Sequence, residues 1–188
     1  YFSSALSEDA TSGTLTVKLD LDNRDGLTAS KQYEVRLIDP AGNVLQTQTG
    51  SADFTAAETS KNLAILFEGL ANLQPWTSDN PALYTVEIIQ KDAAGKEESV
   101  TATPYGFCVA TIKNNQFLVN GKRVLMKGVN TQDTHPLMGR TMDIETMWTD
   151  LVIMKQNNVN MVRSSHYPRS PKMNAMMDYI GMYQMDEA

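Results

Sequence analysis

The chain has 188 residues, 41% hydrophobic and 20% charged, with a formal net charge of -6 at neutral pH. That composition suits a soluble globular protein holding one large domain, or a medium domain plus part of another. Negative charge without any block of Lys and Arg argues against a nucleic-acid partner, and no apolar run is long enough to cross a bilayer. The lone Cys108 excludes an intrachain disulfide, gives no zinc-finger spacing, and is expected to be a small buried apolar residue. Tyr1-Phe2-Ser3-Ser4 has neither the basic nor the apolar region of a signal peptide. If the chain is a piece of a longer parent, any such signal would lie upstream, and a cytoplasmic or periplasmic location stays open.

From Thr14 to about Val109 the chain reads as strands. Leu15, Val17, Leu19 and Leu21 alternate with polar residues, a period of two. Tyr33, Val35 and Leu37 repeat the pattern, and Asp39-Pro40-Ala41-Gly42-Asn43 supplies a turn into Val44-Leu45. Leu63, Ile65 and Phe67 form a further strand, then Leu83 to Ile89, the turn Asp92 to Lys96, and a strand through Val100. Some six or seven regularly spaced short strands predict an antiparallel sandwich of immunoglobulin type, without the Cys…Trp…Cys signature of antibody domains.

Past Cys108 the pattern changes. All 11 methionines lie between Met126 and Met185, which marks a domain boundary and predicts domains 1–109 and 110–188. Phe117 to Leu125 reads as a hairpin turning on Asn120-Gly121, and a strand is expected over Val124–Val129. Ile144, Met147, Trp148, Leu151 and Met154 recur at helical spacing behind Asp143 as N-cap, which places Trp148 in the core. Val159 to Arg163 is a predicted strand. Ser170-Pro171 starts a second helix carrying Met173, Met176, Met177 and Ile180, Gly181 stops it, and Met182 to Asp186 is a third strand. Strands alternating with helices predict a parallel α/β sheet.

In such sheets, ligand sites gather at the carboxyl ends of the strands. His135, Arg163, His166, Asp186 and Glu187 all fall just past the predicted strand ends. Each also has a plainer reading: Arg163 neutralising Asp186 or Glu187, His166 as a hydrogen-bonded core residue, and Asp186-Glu187 as a solvated strand end. A cluster of His135, His166 and Asp186 is a conceivable metal site, although no metal-ligand motif such as H-E-x-x-H is present.

These residues resemble the β-galactosidase branch of glycoside hydrolase family 2. The matching motifs are Asn120-Gly121-Lys122, Lys127-Gly128-Val129-Asn130, His135-Pro136 and Gly139-Arg140. Met147, Asp150, Met154-Lys155, Asn158, Asn160, Val162 through Pro168 and Asp186-Glu187-Ala188 follow in order. More loosely, Pro75-Trp76-Thr77 and Asn80-Pro81-Ala82-Leu83-Tyr84 are similar to the signature of the sandwich domain that precedes the barrel. The resemblance implies a mainly β chain: an immunoglobulin-like sandwich followed by the first units of an incomplete (β/α)8 TIM barrel. It implies a retaining glycosidase with two catalytic glutamates about 5 Å apart, acting on terminal β-D-galactose. It also implies that His135, Arg163 and His166 line the sugar subsite.

The run Thr131-Gln132-Asp133-Thr134 departs from the Arg-, His- and Glu-rich run of many relatives, which bears on aglycone contacts. On this reading the acid/base and nucleophile glutamates lie beyond Ala188, as do the family's magnesium ligands. The fragment is then expected to be inactive alone and to bind no metal, and Glu187 belongs to a strand end rather than to the catalytic pair. A β-galactoside is the expected substrate of the parent, and homo-oligomerisation is compatible with the sequence. The rival readings are a non-catalytic carbohydrate-binding or adhesion module, with Trp76 or Trp148 stacking on a pyranose, and a compact metal-dependent hydrolase.

Overall fold

The computed structural model describes residues 1–187 and divides the chain into two compact units. Residues 1–74 with 83–109 form the first, and residues 75–82 with 110–188 the second. The boundary expected at residue 109 is therefore not a single cut, because Pro75–Ala82 leaves the first unit and is built into the second.

The first unit is a sandwich of seven strands. β1 (Phe2–Leu6), β2 (Gly13–Asp22) and β5 (Ser60–Leu70) make one antiparallel sheet. β4 (Val44–Phe54), β3 (Ala29–Ile38), β6 (Tyr84–Lys91) and β7 (Glu97–Tyr105) make the other, in that order. Alternation puts Leu15 and Val17 of β2, Val35 and Leu37 of β3, Phe67 of β5 and Val86 of β6 into one fully buried core. The hairpins β3–β4 and β6–β7 turn by the same device. Asp39 accepts from the backbone N–H of Ala41 and Asn43, and Asp92 from those of Ala94 and Lys96. Across the outer face of the larger sheet, Lys91, Glu34, Arg36 and Glu87 form a chain of ion pairs. Strand β1 has no alternation in its sequence and exists because β2 offers it an edge to pair with.

The second unit opens with an antiparallel meander, β8 (Ala110–Lys113), β9 (Gln116–Val119) and β10 (Lys122–Arg123). Both its turns, Asn114-Asn115 and Asn120-Gly121, hold two residues at positive φ, the type I′ geometry that suits a two-residue hairpin. Three parallel strands follow, β11 (Gly128–Thr131), β12 (Met161–Ser164) and β13 (Tyr183–Met185), interleaved with α1 (Ile144–Gln156) and α2 (Pro171–Ile180). These are opening β/α units of the kind that build a (β/α)8 barrel.

Asp143 caps α1 by accepting from Thr146 N at 2.7 Å, and Ser170 with Pro171 starts α2. The core joins Met147, Leu151, Val162, Met173, Met177 and Met182. Three expectations fail. Cys108 is exposed. Trp148 is 37% exposed, stacked obliquely on Tyr179 at the rim of an apolar shelf between α1 and α2. It sits one position off the stripe that Met147 and Leu151 bury. Strand β11 also begins later than expected, because Leu125 is exposed and Lys122-Arg123 pairs with β9 instead.

Candidate functional site

The site is assembled at the carboxyl ends of β11, β12 and β13. In β12, Val162 and Ser164 are fully buried on the helix-covered side, so Arg163 projects from the opposite face. Register pairs Arg163 with Asn130 on β11 and with Met185 on β13. Its guanidinium donates to Asn130 Oδ1 at 3.3 Å and lies 2.5 Å from Glu187 Oε2. His166, in the loop after β12, places Nδ1 3.0 Å from Glu187 Oε1.

One carboxylate therefore bridges a guanidinium and an imidazole. The His166 hydrogen bond first, and then the charge of Arg163, hold Glu187 below the usual carboxylate range. Gln184 donates to Asp186 Oδ1 and to Ser164 Oγ, which fixes the neighbouring carboxyl separately. The sequence alternative that Arg163 pairs with Glu187 or Asp186 is thus realised with Glu187. That pairing leaves the 66%-exposed His166 side chain facing solvent.

His135 occupies the loop after β11 and makes its hydrogen bonds within its own turn. His135 and Gly139 form a two-way backbone bridge, and Nδ1 accepts from the N–H of both Leu137 and Met138 at 3.1 Å. A ring nitrogen that accepts twice carries no proton, so the proton of the neutral imidazole is on Nε2. Nε2–H is the atom His135 has to offer a ligand. Leu137, 91% exposed, stands at the tip of this turn.

Sequence reasoning did not single out Arg169. It is 5% exposed and donates through Nη1 to Asp133 and through Nη2 to Thr131. Its position just past the Val162–Pro168 motif was the only signal. The motif asparagines have structural roles: Asn158 takes positive φ after α1, and Asn160 bonds Lys127 N and the Leu125 carbonyl, fixing the approach to β11.

Among the described residues, no three His, Cys, Asp or Glu side chains converge as a metal site. His135, His166 and Asp186 are not brought together, and a guanidinium against Glu187 repels a cation there. The described residues around Arg163 and Glu187 therefore do not fit a magnesium ion. Nor is Trp76 a sugar platform. It is 8% exposed, packs edge-on against Tyr183, and its Nε1 donates to the Asp178 carbonyl.

The family model "Glycosyl hydrolases family 2" matches residues 1–107, and "Glycosyl hydrolases family 2, TIM barrel domain" matches 110–188. The chain is 32% identical over 187 residues to a β-galactosidase of Kluyveromyces lactis and 35% identical over 187 to one of Pectobacterium atrosepticum. Those alignments take in 93% and 97% of the chain but 18% of either relative. Among solved structures, a Bacteroides uniformis β-glucuronidase superposes with a TM-score of 0.90 at 22% identity, over 98% of this chain and 22% of that one. A putative β-galactosidase from Bacteroides fragilis gives 0.90 at 24% identity, over 100% and 28%. At those identities the structures speak for the fold: an immunoglobulin-like sandwich followed by the start of a TIM barrel. Two family models that between them cover nearly the whole sequence place the chain in glycoside hydrolase family 2.

Proposed function

We propose that the chain is the part of a retaining β-galactosidase that orients a terminal β-D-galactose through His135, Arg163 and His166, and that it is inactive by itself. The observation that carries this reading is the carboxylate bridge at the strand ends. Glu187 neutralises Arg163, so the guanidinium and His135 Nε2–H act as donors to hydroxyls, while His166, whose Nδ1–H is given to Glu187, presents Nε2 as an acceptor. Such donors, held still before substrate arrives, strengthen as the ring flattens and charge develops at the anomeric carbon. A general acid in this chemistry needs a raised pKa. Glu187 is shifted the other way and has both oxygens engaged, which suits an organising role rather than proton donation. The acid/base and nucleophile glutamates then belong to other segments of the parent.

Galactose is favoured over glucuronate on two grounds. The 32% and 35% identical relatives carry the β-galactosidase name. Beside Glu187, a glucuronide carboxylate would meet like charge while Arg163 is already neutralised. The test is turnover of p-nitrophenyl β-D-galactoside and β-D-glucuronide by the enzyme of the parent reading frame, with His135→Ala, Arg163→Ala and His166→Ala variants. The galactoside is expected to be preferred, and each substitution to cut kcat/KM by roughly 10²-fold or more, the scale of one lost transition-state donor. Preference for the glucuronide, or three variants within a few-fold of the starting enzyme, would overturn the proposal.

A further inference from the structure

Four hydrogen bonds and one buried ion pair join the loop after β11 to the loop after β12. Ser165 donates through N and Oγ to the Thr131 carbonyl at 3.1 and 3.2 Å. Asp133 N donates to Tyr167 Oη at 3.0 Å. Arg169 then grips Asp133 Oδ1 and Thr131 Oγ1 with the two prongs of its guanidinium. The Arg169 side chain is 2% exposed and that of Asp133 18%. Burying a guanidinium here is costly unless the geometry is used, and its Nε finds no partner among the described residues. The core of this unit lies elsewhere, around Met147, Leu151 and Met177. What the clamp holds is the stretch Thr131–Asp133, two residues before His135.

We infer that Arg169 is a positioning residue: by fixing Asp133 and Thr131 it sets the place and the ring tautomer of His135 relative to the loop that carries His166. This rests on the sugar-site reading for its purpose, but not for its geometry. The planar fork is essential. Lysine keeps the charge yet cannot hold Asp133 and Thr131 together. Without the fork, the 131–135 stretch keeps its backbone tie to Ser165 but loses its side-chain anchor. The turn in which His135 Nδ1 accepts from Leu137 and Met138 then opens more often.

His135 and His166 are the chain's two histidines, so their ring nitrogens can be read directly by ¹⁵N NMR of this polypeptide at about pH 8, where an ordinary imidazole is neutral. The unaltered chain should show His135 as a single Nε2–H tautomer. In Arg169→Lys and Arg169→Gln its Nδ1 and Nε2 signals should move toward the averaged position. The Leu137 and Met138 amides should exchange roughly tenfold faster, about the worth of one hydrogen bond, while β12 amides such as Val162 stay protected. Asp133→Asn, which keeps the shape and drops the charge, should fall between. If the sheet stays protected and His135 keeps its signature in all three variants, Arg169 only packs and the inference fails. It fails equally if all three unfold the unit, since the residue is then a general structural requirement. Loss of the His135 tautomer with no effect of the same substitutions on galactoside turnover in the parent would leave the clamp standing and refute the sugar-site reading instead.

Discussion

Lys155 offers the sharpest test of how the second unit is held. Its Nζ donates to the Ser78 carbonyl at 2.6 Å, to Ser78 Oγ at 3.0 Å and to the Gly181 carbonyl at 2.7 Å. It thus ties the end of α1 and the stop of α2 to the Pro75–Ala82 strap. Lys155→Met keeps the apolar stem and removes the donor. Gly181 O retains Ser78 Oγ, 2.8 Å away, so one carbonyl, that of the buried Ser78, loses its recorded partner. An orphaned buried acceptor costs about 1–3 kcal/mol. Burial lowers the Lys155 pKa, so removing the ammonium recovers part of that cost. The net loss expected is about 1–2 kcal/mol, a fall in urea midpoint of about 0.5–1 M for a slope near 2 kcal/mol/M. Both tryptophans, Trp76 and Trp148, lie in this unit, so tryptophan fluorescence follows its unfolding without a contribution from the sandwich. A midpoint within about 0.1 M of the unaltered chain, at unchanged slope, would show that the strap is held by packing alone.

Two further outcomes follow from the same geometry. Gly181 has φ 78°, and a Cβ there would stand 2.3 Å from the Ser78 carbonyl. Gly181→Ala should therefore cost more than the ~1 kcal/mol of a left-handed alanine, and a fluorescence-detected loss no larger than that would refute the close approach. Glu187 has a depressed folded pKa, so its bridge to His166 and Arg163 contributes fully above the unfolded value, about 4.3, and is lost as pH falls through the lower folded value. Carboxyl ¹³C NMR should show Glu187 titrating below an ordinary glutamate, and a midpoint at or above the ordinary value would remove the bridge from the site.

Local pattern was sufficient for much of the fold. Period-two alternation in β2, β3 and β6, helical spacing behind Asp143 and Ser170, and the Asn120-Gly121 turn are properties of neighbouring residues, so the sequence carried them. That His135, Arg163 and His166 would fall at the carboxyl ends of parallel strands was legible for a related reason: those ends are apparent once the strands are recognised. Long-range contacts were not legible. Strand β1 needed an edge supplied by β2, and Pro75–Ala82 joins the second unit through Trp76, Ser78 and residues about a hundred positions away. Trp148 lies one position off the buried helical stripe, and periodicity cannot say how wide that stripe is. Which carboxylate would bridge Arg163 and His166, and that Arg169 would be buried on Asp133, depended on strand register and loop closure. Those are set by the packing of the whole sheet, because a side chain's charge partner is fixed in space and not by its distance along the chain.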